Sequence, residues 1–461
     1  MSRVSRTCIG ALLSAALLAA VNSVNAQEAR SGQCLFNFRS RAGSPLVMSR
    51  TPSGQYNWFL GRRAEGECQA QQITVVADSV EYYGDARLLY LIGNVDYREP
   101  RLTLRSQRLT YWLNDEHLRA EGNVDATLPS GTKLTGPEVD YYRPAPDIRR
   151  TSRMIAPRRP TILLVETDSS GRRSDPTTVI ANTVVMDNDS LVYASGRVVI
   201  TRTDVVSNSD SAFMDGGREY ARLMKSPQID GKGDEPFTLT GTLVELYGSR
   251  RTLSRVVSSG RARAVSKDVT LTADTLDLHL SDSKMDRVYA WGPSRARAVS
   301  PHYDIVADSL DVRMPGQRVH EVFAVRDAFA QSAPDSTRVR STEKDWLRGD
   351  TILARFDTSA APRDTARRPR IQELIAHGNA RSYYQIATRE GREAPPGINY
   401  VRGSVITLAF ENQEVSRVTI TDQAAGVYLE PVPAAADTAS GVSRDTTVTS
   451  RRRPASDRRA P

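Results

Sequence analysis

Residues 77–83 read ADSVEYY and, after a short polar turn, residues 91–97 read LIGNVDY. Val80 and Tyr82 sit two apart with Glu81 between them, which is the alternation of a strand with one buried face. The second stretch alternates too, but it carries Gly93 in its middle. A glycine inside a strand pattern marks a bulge or a bend, where a sheet turns a corner. The pair is a strand, a turn and a second, cornered strand.

The unit recurs. Its marker is a tetrapeptide of small residue, Asp, hydroxyl residue and apolar residue: Ala77-Asp78-Ser79-Val80, Ala273-Asp274-Thr275-Leu276, Ala307-Asp308-Ser309-Leu310 and Gly349-Asp350-Thr351-Ile352. Looser copies fill the gaps. The second positions of all copies are Asp78, Gln107, Pro137, Asn182, Asp210, Gly241, Asp274, Asp308, Asp350 and Gly403. A spacing of roughly 30 residues is the signature of an array and outranks local propensity. Longer gaps coincide with Arg149–Thr178, Asp357–Arg370 and Glu390–Asn399, rich in Pro, Arg or Gly as surface loops are. Glycines matching Gly93 are Gly122, Gly196, Gly260, Gly292 and Gly378. No segment has a long helical period. The fold class is all-β, built from about ten repeated strand-turn-strand units.

The flanks are of another kind. Arg3 and Arg6, the apolar run Cys8–Val21 and Val24-Asn25-Ala26 form a secretory signal, so residues 1–26 are expected to be removed after Ala26. Residues 27–71 are a lead-in holding Cys34 and Cys68. An exported cysteine pair in an oxidising compartment forms a disulfide; a metal site would need further His or Cys nearby. The first repeat block spans 72–150, an Arg/Pro-rich insertion 151–178 and the second block 179–430. The tail 431–461 is rich in Ala, Thr, Ser, Pro and Arg and cannot bury a core.

Hydrophobic residues make up 39% and charged residues 25% of the chain, as in ordinary globular proteins, and the net charge is +8. Arg carries the excess, and a solvated surface accounts for it. Nucleic acid is an unsuitable partner, because the repeat aromatics fall on the buried phase and leave no stacking platform. Catalytic signals are missing as well. His117, His279, His302, His320 and His377 are scattered, without metal spacing, and there is no nucleophile elbow, phosphate loop or dinucleotide fingerprint. No cofactor and no metal are expected. His279 lies on the polar phase of its strand. The recurring Asp admits two readings: stacked acid/base pairs of a polysaccharide-active β-repeat enzyme, or support of the strand start through local side-chain-to-backbone bonds. Its fixed place in many copies favours the second, since an active site normally interrupts a repeat.

Residues 72–142, with ADSVEYY and two Gly-Asn-Val strands, closely resemble the OstA-like repeat of the LptA family of lipopolysaccharide transport proteins, shared with the N-terminal periplasmic part of LptD. The resemblance returns more loosely over 181–430, with Gly378-Asn379-Ala380 as a late echo. It implies an incomplete β-jellyroll: antiparallel strands stacked into a slightly open V whose apolar groove takes lipopolysaccharide acyl chains. It also implies end-to-end stacking through strand edges and transfer from inner to outer membrane without covalent chemistry. Expected partners are therefore lipopolysaccharide or a related lipid and the transport components of both membranes, with self-association as a further expectation. The expected location is the periplasm, including its outer-membrane face. Groove candidates are Val80, Tyr82, Leu109, Tyr111, Val139, Tyr141, Leu276, Leu278, Leu310, Val312 and Ile352. Each methylene of an acyl chain buried there gains roughly 0.8 kcal/mol. The alternative is that the two sheets close and the stripe is a packed core, as in a structural or adhesive repeat protein. Roughly 30 strands in two sheets, at ~4.8 Å each, predict a groove on the order of 70 Å. LptD carries a large C-terminal barrel, whereas the repeats here run into the tail 431–461, so a barrel role is not expected.

Overall fold

The corner at Gly93 recurs along the whole computed structural model. The strand Leu88–Glu99 pairs through its first half with Ser79–Tyr83 and, past the bend, with Ile73–Ala77. Leu102–Trp112 then pairs with both halves, its register shifting between Ile92 and Val95. The same zigzag runs to Ala425–Leu429, giving, among the described residues, 32 strands in one sheet in which neighbours are antiparallel. The sheet is creased lengthwise into two walls. The first wall carries Ser79–Tyr83 and the second Ile73–Ala77. The structure describes residues 34–431 except 35, 41–42, 146–147, 166–175, 204, 233–235, 250–251, 268, 282–283, 335, 358–369, 389–393 and 412–413. The expected signal segment, residues 1–26, and nearly all of the tail thus lie outside the described residues.

Two kinds of corner alternate along the crease. One is a pair of consecutive residues with left-handed backbone, as at Gly93-Asn94, Gly122-Asn123, Gly196-Arg197, Gly260-Arg261 and Gly378-Asn379. The other is a single residue facing that pair, as at Asp78, Gln107, Asn182, Asp274 and Asp350. Two residues opposing one make a β-bulge, which bends the strand sharply. The crease is a column of such bulges.

This geometry decodes the tetrapeptide. Ala77 points into the space between the walls, Asp78 turns the corner, Ser79 points outward from the first wall, and Val80 points inward again. The small first residue is required because the walls are closest beside the crease. Ala181, Ala273, Ala307 and Gly349 repeat it, while the bulky Tyr97, Tyr111 and Tyr141 fill the wider space further out. In two copies the frame is one residue off: the corners are Thr242 and Ser404, not Gly241 and Gly403.

The array is longer than its sequence markers. In the lead-in, Tyr56–Leu60 and Ala64–Cys68 form a regular rung whose left-handed corner is Arg62-Arg63. The stretch expected to be an insertion holds another rung, Arg153–Ala156 and Thr161–Leu164, with its corner at Arg158-Arg159. Long strands also serve both walls, so each wall has roughly twenty rungs and a length on the order of 100 Å rather than 70 Å. Cys34 and Cys68 are disulfide-bonded, with Cα atoms 5.8 Å apart. Phe38 tilts against Trp58, which stacks on Tyr82, and Phe36 meets Tyr111 edge to face. The lead-in thereby caps one end of the interior.

Outward faces are tied rung to rung by Arg–Asp forks. Arg255 donates Nε and Nη2 to Asp277, both at 2.8 Å, and Arg297 does the same to Asp304 at 2.8 and 2.7 Å. The fork from Arg297 holds the Asp304 carboxyl below its ordinary range. Much of the arginine excess is spent in this way, on structure. His279 is on the outer face as expected, beside Asp277 and the edge of Tyr289.

Candidate functional site: the space between the walls

One apolar cluster fills the interior from Cys34 to Leu408. Every groove candidate except Tyr82 belongs to its buried set. Val80, Leu109, Tyr111, Val139, Leu276 and Ile352 have no solvent exposure, and Tyr141, Leu278, Leu310 and Val312 are also buried. Tyr82 is half-buried, its ring stacked on Trp58 at 5.5 Å. The inward face is thus the one the alternation indicated. The expected open stripe is closed at these positions, because the side chains of the two walls meet over the crease.

Along the side away from the crease, the mouth, closure differs from end to end. In the first block a polar bolt crosses it. Arg143, from the first wall, donates Nε to Glu99 of the second wall at 2.5 Å and Nη1 to Gln71 at 2.5 Å. The same guanidinium holds Glu116 at 2.6 Å and the Tyr111 hydroxyl at 3.0 Å. The Tyr111 hydroxyl donates to Glu116 at 2.5 Å, and those of Tyr141 and Tyr97 donate to Glu99 at 2.7 and 3.1 Å. Burial pushes the Tyr111 and Tyr141 phenols well above the ordinary tyrosine range. Burial also pulls Arg143 down, but the facing oxygens of Tyr97, Tyr111, Glu99 and Glu116 outweigh it, so the guanidinium stays firmly charged.

The second block has a softer mouth. Tyr303 of the second wall meets Phe356 of the first at 5.8 Å, a contact without charge. Nearby, Asp345 accepts the backbone N–H of Gln385 at 2.9 Å, and burial raises its carboxyl above the ordinary range. In the second row from the crease, Leu89, Leu118 and Tyr141 of the first block are at most 1% exposed and Tyr82 is half-buried; in the second block Leu278 and Ala354 are at most 2% exposed, and Val312, Val322, Leu374 and Leu408 are 5–9% exposed.

Sequence reasoning overlooked the bolt, although its phase is readable. Glu99 and Arg143 follow Tyr97 and Tyr141 by two residues, so they continue the inward alternation. Charged residues at strand ends are commonly solvated, and that habit hid them. The recurring Asp also acts differently from the expected local cap. Asp78 N–H donates to Gly93 O of the next rung at 2.9 Å, and its carboxylate accepts Asn94 Nδ2 at 2.8 Å. Among the described residues no group of three or more His, Cys, Asp or Glu is placed to hold a metal. No family model matches the chain, and no curated protein matches it.

Proposed function

We propose that the chain is a non-enzymatic lipid carrier or bridge that takes lipopolysaccharide acyl chains between its walls and passes them from inner to outer membrane. The observation that carries this reading is the interior: one unbroken apolar cluster between two walls that are joined by backbone along one side, the crease. Replacing wall–wall contacts by wall–acyl contacts exchanges apolar burial for apolar burial, so opening onto a lipid is near balance to first order. Opening the first block would also break the Arg143 bolt, which costs about 3–5 kcal/mol when a buried ion pair loses one partner. Acyl chains are therefore assigned to the second block, where an aromatic contact stands in place of the bolt and part of the second row already touches solvent.

Membrane partners and further copies would dock on the terminal strand edges. The OstA-like resemblance of residues 72–142 supports the choice of cargo and the periplasm as the location.

The closed interior favours a second reading, a structural or adhesive repeat protein whose walls never part. Photocrosslinking from Leu276, Leu310 and Leu374 in cells separates the two. Lipopolysaccharide adducts at these positions, and none at Tyr111, are expected for a carrier. No lipid adduct at any interior position would leave the structural reading standing.

A further inference from the structure

One corner of the crease departs from the rest. Trp291 pairs with Thr275 and Arg297 with Thr272, so four residues, Gly292–Arg295, pass where two suffice elsewhere. The enlarged corner is fixed in place. Ser294 donates its backbone N–H and its hydroxyl to Asp274. Arg295 reaches Asp327 and the carbonyl of Val306.

Beside it lies a hollow of ≈ 530 Å³ on the outer face. Its floor is Ser309, which pairs with Val325 on one side; Leu310, the next residue, pairs with Ala290 on the other. A small side chain therefore lies between two larger ones. Trp291, 40% exposed, forms one flank and Val325, 38% exposed, the other. Asp308, Arg295 and Arg326 edge the hollow on the crease side.

We infer that this hollow binds a pyranose unit of a glycan. A flat indole offers its face to the C–H side of a sugar ring. A carboxylate, a hydroxyl and guanidinium groups along one edge suit vicinal ring hydroxyls, which donate and accept at once. The charges choose against the alternatives. Two guanidiniums disfavour a cation on the indole, and Asp308 disfavours a strongly anionic ligand. The hollow lies beside the crease, on the side away from the mouth, so this site does not rest on the lipid reading and stands or falls apart from it.

Saturation-transfer NMR on the mature chain, with maltotetraose, chitotetraose and mannotetraose as probes, tests it. At least one probe should receive saturation on its ring protons. Its Kd should rise by about tenfold in Trp291→Ala, the loss expected for an aromatic stacking partner. Ser309→Phe, which fills the floor, should abolish binding, while Trp346→Phe on the other wall should leave it unchanged. Both variants at the hollow change partly exposed outward side chains, and unchanged thermal melting verifies that they fold. No transfer to any of the three probes, or transfer unaltered by Trp291→Ala and Ser309→Phe, would overturn the site.

Discussion

The pairing of Asp78 with Gly93 explains the glycine better than backbone conformation does. A Cβ on Gly93 would lie 2.3 Å from Asp78 Oδ2, and one on Gly378 2.1 Å from Asp350 Oδ2. Arg62, Arg158, Lys225 and Arg326 take the same left-handed place with φ of 54–65°. Positive φ is thus tolerated along the crease, even where Asp210 and Asp308 face Lys225 and Arg326, so glycine is demanded only where the corner side chain folds over the facing residue, as Asp78 does at Gly93. Gly93→Ala should therefore destabilise by about 2–3 kcal/mol, and Asp78→Gly in the same chain should recover part of it, with a coupling of ~1 kcal/mol or more in a double-mutant cycle. Strict additivity in thermal melting would refute the pairing. Both residues stood out in the sequence, but their partnership did not, because it joins neighbouring rungs and not neighbouring residues. Asp345 gives a second test. Its folded pKa is raised by burial, so its contribution to stability is full below the unfolded value near 3.8 and is lost as pH rises through the folded value. Asp345→Asn keeps an acceptor for Gln385 N–H and should raise the melting temperature at pH 7. That gain should vanish below pH ~3.5, where the native carboxyl is protonated too; an equal effect at both pH values would contradict the assignment.

At the level of the rung, alternation and corners were legible wherever the corner carried Gly or Asp. They were illegible where arginine replaced glycine: Arg62-Arg63 and Arg158-Arg159 turn the chain as Gly93-Asn94 does. Pro157 and Pro160 made the latter stretch look like a loop, since proline is seldom found inside a sheet. Here both prolines flank the bulge. The bolt belongs to the same scale, because it fastens one block of rungs and not the others. Arg143→Ala leaves Glu99 and Glu116 buried without their cation, so the first block should lose about 3–5 kcal/mol. Hydrogen exchange would read this as faster amides across Leu88–Tyr142, with those of Asp345–Phe356 unchanged. Arg143→Met combined with Glu99→Gln and Glu116→Gln removes the charges together and should restore much of the protection. Uniform loss along the whole chain would mean that the bolt does not act on one block.

Over the whole molecule, a crease that never closes on itself leaves two ends. At one, Val47–Arg50 is exposed along its length, and Leu46, Val47 and Met48 are 52–58% exposed. At the other, Ala425–Leu429 is exposed throughout, with Val427, Tyr428 and Leu429 at 53–56%. Each strand pairs on one side, with Tyr56–Leu60 and Gly397–Glu411 respectively, and no described strand covers the other side. Natural edge strands are commonly protected by charge, proline or brevity. Ala-Gly-Val-Tyr-Leu carries no charge, and its unused N–H and C=O groups form a template for another strand. A contact between unlike ends is head-to-tail, and repeating it adds length without closing a ring. The mature chain is therefore expected to form linear assemblies as its concentration rises, each added copy lengthening the particle by on the order of 100 Å. Val427→Lys with Leu429→Lys places two charges on one edge and should hold the chain as a monomer over the same range, with its melting temperature unchanged. Sedimentation and small-angle scattering across a concentration series measure both. A wild-type chain that stays monomeric throughout, or a lysine variant that associates as readily, would show that these edges do not join copies.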